Sequence, residues 1–133
     1  MNYHYRIRMA DTDAAGRIYF ASACRIAHEG FESFMEAIGF PIADMIKHET
    51  FGLPVVHLEA AYHASLHLGD RIQIHVQVKK IGNRSITFQH QLINESGKTA
   101  ITIAITHAVV SARTGKAITI PADFKKSLRE HCV

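Results

Sequence analysis

Ala10-Asp11-Thr12-Asp13-Ala14-Ala15-Gly16-Arg17-Ile18-Tyr19-Phe20 separates two periodicities in the chain. Upstream, Tyr3, Tyr5, Ile7 and Met9 fall on one side of an alternating run, with His4, Arg6 and Arg8 on the other, so residues 3–10 are predicted as a strand. Downstream, Ala23, Ile26, Ala27, Gly30, Phe31, Phe34, Met35 and Ile38 recur at steps of three and four, which predicts an amphipathic helix from about residue 20 to 38. Glu29, Glu32, Ser33 and Glu36 fall largely on its other side, and Gly39 followed by Pro41 supplies a stop. Gly30 lies mid-helix, where glycine costs about 1 kcal/mol against alanine. Close approach of the helix to its packing partner is the physical reason such a residue would be kept. Between the two patterns the chain places two carboxylates and a flexible Ala-Ala-Gly turn.

Residues 42–52 read as a loop or short helix. Four strand-like runs follow, at about 54–66, 71–80, 85–94 and 98–112, divided by turn signals at Leu68-Gly69-Asp70, Ile81-Gly82-Asn83, Glu95-Ser96-Gly97 and Thr114-Gly115-Lys116. Alternation is clean in Ile72, Ile74, Val76 and Val78 and again in Ile101, Ile103 and Ile105. A short helix is predicted over 122–130. Consecutive strands after one long helix indicate the α+β class, a five-stranded antiparallel sheet with the helix on one face. One helix covers only part of that face, so pairing with a second copy is expected.

The 133 residues suggest one domain, 1–133, and 47% apolar content suffices for a core. No apolar run approaches a membrane span and the N-terminus lacks a signal-peptide core, so a soluble, cytoplasmic protein is expected. A formal charge of +3 without a dense Lys/Arg run is not a nucleic-acid signature, although it would help attract a small polyanion. The two cysteines, Cys24 and Cys132, form neither a disulfide framework nor a zinc motif. Ten histidines invite a metal, but His63 and His67 on a strand would stand about 13 Å apart. His28 and Glu32 supply only two ligands across one helical turn, so no metal is expected.

The Asp-Thr-Asp-Ala-Ala-Gly-x-x-Tyr-Phe motif at the first strand-to-helix passage resembles the hotdog-fold acyl-CoA thioesterases of the 4-hydroxybenzoyl-CoA thioesterase family. The likeness is closest to the branch that hydrolyses 1,4-dihydroxy-2-naphthoyl-CoA in quinone biosynthesis. It is carried by residues 10–16 through Tyr19-Phe20, by His28-Glu29-Gly30-Phe31-Glu32-Ser33, and by Leu53-Pro54-Val55-Val56-His57 with Gly69-Asp70-Arg71. The resemblance implies one long central helix wrapped by a curved five-stranded sheet, a homodimer with a continuous sheet often doubled to a tetramer, and active sites at the dimer interface. It implies no cofactor, since CoA arrives as part of the substrate.

On this resemblance Asp13 is the catalytic carboxylate, as nucleophile or as general base on water. The backbone N–H of Phe20 is the donor to the thioester oxygen, at a helix start whose first amides lack intrahelical partners. Gly16 lets the backbone turn tightly and approach the thioester. Candidate substrate contacts are Tyr19, His57, and Lys80 and Arg84 of the cationic turn at 79–85, which would meet CoA phosphates. Asp11 reads as a structural turn residue. Many relatives carry histidine where Phe20 stands and tyrosine where Ala23 stands, so a histidine-assisted mechanism at residue 20 is not expected. Competing functions are an aliphatic acyl-CoA or acyl carrier protein thioesterase, a hydratase or dehydratase, and a non-catalytic acyl-CoA sensor; the last would need an output segment.

Overall fold

The computed structural model describes residues 1–132. Its strands and helices, in chain order, are β1 (Asn2–Arg6), α1 (Phe20–Ala37), α2 (Ile42–Lys47), β2 (Phe51–Gly52), β3 (Val55–Tyr62), β4 (Arg71–Ile81), β5 (Ser85–Ile93), β6 (Thr99–Ala108), β7 (Val110–Ser111) and α3 (Ala122–Glu130). Five strands form one antiparallel sheet in the order β1-β4-β5-β6-β3, and β2 pairs with β7 in a small second sheet. This is the hotdog arrangement: one long helix lying across an antiparallel sheet.

Alternation decides which sheet face is the core. Ile72, Ile74, Val76 and Val78 of β4, Ile86, Phe88 and Leu92 of β5, and Ile101, Ile103 and Ile105 of β6 are buried, while their neighbours in sequence, Ala100 apart, are half-buried or exposed. The buried side faces α1, whose Ala23, Ile26, Ala27, Phe31, Phe34 and Met35 close over it. Gly30 explains the fit. A Cβ built there would stand 2.7 Å from Ile74 Cγ2 and 3.1 Å from Val76 Cγ2. The helix therefore approaches β4 more closely than any side chain at residue 30 would allow. α3 extends the core through Phe124, whose ring centroid lies 4.9 Å from Phe40 and 5.1 Å from Phe51.

The expected first strand ends early. β1 stops at Arg6, and Met9–Asp11 form a 3-10 turn that leaves Met9 77% exposed rather than in line with Tyr5 and Ile7. The cause is Asp11, whose Oδ2 accepts the Arg8 N–H at 2.8 Å and curls the chain back. The run at 54–66 likewise supplies a strand only over Val55–Tyr62, and the run at 98–112 breaks into β6 and β7. The break comes where Ala108 donates its N–H to Pro54 and Val109 to Arg84, so the chain switches partners.

β3 is the sheet's outer edge beside β6, and every one of its residues is exposed. Val55, Val56, Leu58 and Tyr62 remain 39–61% accessible there. Among the described residues no helix is long and apolar enough to cross a membrane.

Two histidines lie inside the core. His90 and His107 are fully buried, and both ring nitrogens of His90 and Nε2 of His107 lack partners among the described residues. His107 Nδ1 meets the Leu53 carbonyl at 2.9 Å, and its ring stacks on Phe31 at 4.3 Å. Burial, with smaller repulsion from His107 and His28, pushes the His90 pKa down to about 3. Burial pushes His107 down to about 4, against the opposing Leu53 bond. Both imidazoles are therefore neutral at ordinary pH.

Candidate active site

The segment between β1 and α1 is built as a strap. Its ends meet in a bridge between Thr12 and Ile18, and it is pinned to the approach to β4 by Ile18 N–H to Leu66 O at 2.8 Å and Leu68 N–H to Gly16 O at 2.9 Å. Within the strap, Asp13 organises its own loop. Oδ1 accepts the Ala15 N–H at 2.9 Å and the Arg17 N–H at 3.2 Å. Gly16 closes the turn at φ +77°, a left-handed backbone that glycine adopts without strain. Two amides thus fix the carboxylate from one side, while Oδ2 has no partner among the described residues and the side chain stays exposed.

Asp11, two residues earlier, is 1% exposed. It accepts Tyr5 OH at 2.7 Å and the Arg8 N–H on Oδ2, and its Oδ1 is paired with Arg25 of α1. Arg25 also bonds Glu29 and, at 3.1 Å, Tyr5 OH. This bracket ties β1, the 3-10 turn and α1 together, which is the structural role its sequence position indicates.

α1 begins at Phe20, with Tyr19 as N-cap and no side chain capping it. The Tyr19 N–H donates to the Asp11 carbonyl at 2.8 Å, so the buried bracket also aims the helix entry. The Phe20 and Ala21 amides have no acceptor among the described residues. The Tyr19 and Phe20 rings lie exposed and tilted against each other, with centroids 4.8 Å apart. A cavity of about 330 Å³ lies beside this entry, lined by Asp13, Arg17, Ile18, Tyr62, His63 and Ser65. Tyr62 OH donates to the Phe20 carbonyl at 2.6 Å. Asp13 and Tyr62 at the edge of the sheet therefore border one small space, Tyr62 links that space to the first residue of α1, and Gly16 lies in the loop that carries Asp13.

The other candidates do not join this space within the chain. His57 pairs with Thr106 while Ile105 and His107 point at α1, so His57 faces away from the helix. Its Nε2 is held 2.9 Å from Glu59 Oε1, and that bond, with the His57 charge, holds the Glu59 carboxyl below its usual value. Lys80 and Arg84 are exposed at the β4–β5 hairpin. That hairpin is level with Pro54, eight residues before Tyr62 and roughly 25 Å away at strand spacing.

Sequence reading missed Tyr62, Arg17 and His63 as neighbours of Asp13. For Tyr62 a signal exists, because it shares the helix-facing phase of β3 with Leu58 and Ala60. A second, larger groove of about 470 Å³ runs between α1 and β3, bordered by Arg25, His28, Glu29 and Glu32 on the helix and Val55 and Leu58 on the strand. Among the described residues no three His, Cys, Asp or Glu side chains come close enough to share a metal ion.

Residues 7–128 match the model of the thioesterase-like superfamily. The chain belongs to that superfamily. It is 31% identical, over 72% of its own length and 70% of the relative's, to a 1,4-dihydroxy-2-naphthoyl-CoA hydrolase of Crocosphaera subtropica. A 1,4-dihydroxy-2-naphthoyl-CoA thioesterase from Synechocystis superposes with a TM-score of 0.88 at 22% identity, covering 97% of this chain and 95% of that one. A gentisyl-coenzyme A thioesterase superposes with the same score and identity over 96% and 99% of the two chains. These structural likenesses establish the shared hotdog fold.

Proposed function

We propose that this superfamily member is an acyl-CoA thioesterase for an aromatic acyl group, 1,4-dihydroxy-2-naphthoyl-CoA in menaquinone or phylloquinone synthesis, releasing the free acid and CoA. The observation that carries the reading is a carboxylate with one fixed and one free oxygen, lining a cavity whose Tyr62 wall is bonded to the first residue of a long helix with an uncapped start. The sequence relative of that naming supports the choice of acyl group.

In this reading the thioester carbonyl oxygen sits at the Phe20 amide, where unpaired N–H groups and the positive end of the helix dipole stabilise the charge it gains. Asp13 Oδ2 acts on the carbonyl carbon. It either attacks to form a mixed anhydride that water opens, or takes a proton from the attacking water. In both routes the C–S bond breaks, CoA leaves as thiolate and is protonated, and one water is consumed. No cofactor enters, and the reading carries with it a cytoplasmic enzyme.

We also propose a homodimer formed by antiparallel pairing of β3 with its own copy, the unit from which a tetramer would be built. An exposed apolar edge strand supports it. So does the sheet's layout. Pairing about the middle of β3 sets the Tyr62 end of one chain against the Val55 end of the other, and brings one chain's Lys80 and Arg84 towards the other's Asp13. The cationic hairpin would then meet CoA phosphates across the interface. His57, turned outward, has no part in it.

A thioester panel followed by thiol release tests the activity. Aromatic acyl-CoA esters are expected to turn over fastest; faster hydrolysis of aliphatic acyl-CoA or of acyl carrier protein esters would overturn the assignment. Light scattering tests the assembly, and a monomer at assay concentration would remove the interface.

A further inference from the structure

We propose that Tyr62 is a positioning residue for the thioester oxygen, acting through the first peptide groups of α1 without touching the substrate. This rests on the functional reading above. The Phe20 carbonyl has an ordinary partner one helical turn on, the Cys24 N–H. It accepts in addition the Tyr62 hydroxyl at 2.6 Å, at the short end of the O–H···O range. The peptide group that carries this oxygen also carries the Ala21 N–H. A donor on the oxygen draws density from the nitrogen, and hydrogen bonds in series strengthen one another by roughly 10–30% each. The preceding peptide has the same arrangement: the Tyr19 carbonyl accepts the Ser22 N–H at 2.9 Å, and that peptide carries the Phe20 N–H. Two consecutive uncapped amides are thus polarised from behind, one by the helix itself and one by a side chain from another element.

The origin of that side chain matters. Tyr62 is the last residue of the edge strand, forty-two positions from Phe20, and it lines the cavity that holds Asp13. Its hydroxyl ties the helix start to the strand that borders the carboxylate, so donor and carboxylate keep one relative position. Packing alone would not require the oxygen, since phenylalanine has the same ring and Tyr62 is 46% exposed. Burial of the phenol, with a contribution from Cys24, raises its pKa above the usual tyrosine value and keeps it a donor.

Tyr62→Phe in the full chain tests the proposal with two readouts. In the amide NMR spectrum the Ala21 proton is expected to move upfield while amides of β4, β5 and β6 hold their positions. With an aromatic acyl-CoA, kcat is expected to fall roughly 3- to 10-fold, less than the loss of a direct oxyanion donor, with KM within about twofold and an unchanged melting temperature. An unmoved Ala21 resonance, an unchanged kcat, or a kcat loss accompanied by a lower melting temperature and shifts throughout the sheet would each overturn it. Asp13→Asn, assayed alongside, separates the two readings. Full turnover by that variant would fell the functional reading, whereas the Ala21 resonance reports on the Tyr62 bond whatever the activity.

Discussion

The bracket around Asp11 and the loop around Asp13 occupy one short segment and meet opposite physical demands. Asp11 is buried, and a buried carboxylate is tolerable only when hydrogen-bonded and paired; Tyr5, the Arg8 amide and Arg25 supply that. Asp13 is exposed, so water could satisfy it, and the fold spends only two backbone amides on one of its oxygens. The first carboxylate is saturated and holds elements together. The second is oriented but unsaturated, the condition a reacting group needs. Neither the residue type nor the spacing distinguishes them; their partners do.

The largest effect expected from this contrast is at the exposed carboxylate. Asp13→Asn should lower turnover by about 10²–10⁴-fold with the melting temperature nearly unchanged, because the isostere keeps the shape and loses the charge. A thiol-release assay beside a thermal melt checks both halves. Near-normal turnover would erase the distinction between the two sites.

Acid sharpens the contrast between buried and exposed ionisable groups. His90 and His107 take up protons near pH 6.5 in the unfolded chain but only near about 3 and about 4 in the folded one. Between these values the unfolded chain holds more protons. Their contribution to stability is therefore complete above pH 6.5 and is lost as pH falls towards 4, by on the order of 1 kcal/mol per pH unit for each. Urea melts from pH 7.5 to 5 should show this slope, and replacing His90 with an apolar residue should flatten it.

Asp11→Asn should do the reverse of Asp13→Asn. A neutral amide whose NH₂ faces the Tyr5 and Arg8 donors leaves buried groups unmatched, at a cost of about 1–3 kcal/mol in denaturant melts. Its effect on turnover should follow the loss of folded protein. Gly30→Ala probes the helix seat that both segments share. Better helix propensity, worth about 1 kcal/mol, opposes a methyl pressed into Ile74 and Val76, and overpacking of that kind costs about 1–3 kcal/mol. A small net destabilisation should appear by calorimetry. The mildest change is Arg84→Ala, expected to raise KM for a CoA ester by roughly two- to fivefold with kcat unchanged. The same variant should leave KM unaltered for a thioester lacking the nucleotide.

Much of this was legible without coordinates. The buried residues of α1 are those its three- and four-residue spacing singles out, and Gly30 marked the close approach before Ile74 and Val76 were seen to require it. The break before the helix was legible as a turn carrying two carboxylates, but residue types alone favour turn capping for both, and only the family resemblance singled out Asp13 as the reacting one. The 3-10 turn at Met9–Asp11 was not, because local alternation carries on through Met9 and only the Asp11 bond to Arg8 stops the strand. The short β2–β7 pair escaped for a similar reason, as two residues a side are too few to show a period.

By itself the sequence determined the α+β order, the helix face and the two carboxylates at the helix entry, because periodicity and turn chemistry act between near neighbours in the chain. Only the tertiary structure decided that Arg25 saturates Asp11, that Tyr62 reaches back to Phe20, and that His57 turns outward to Glu59. Those outcomes depend on strand register and on how the helix is seated, and register is set by pairing residues far apart in sequence, where a shift of one position sends a side chain to the other face.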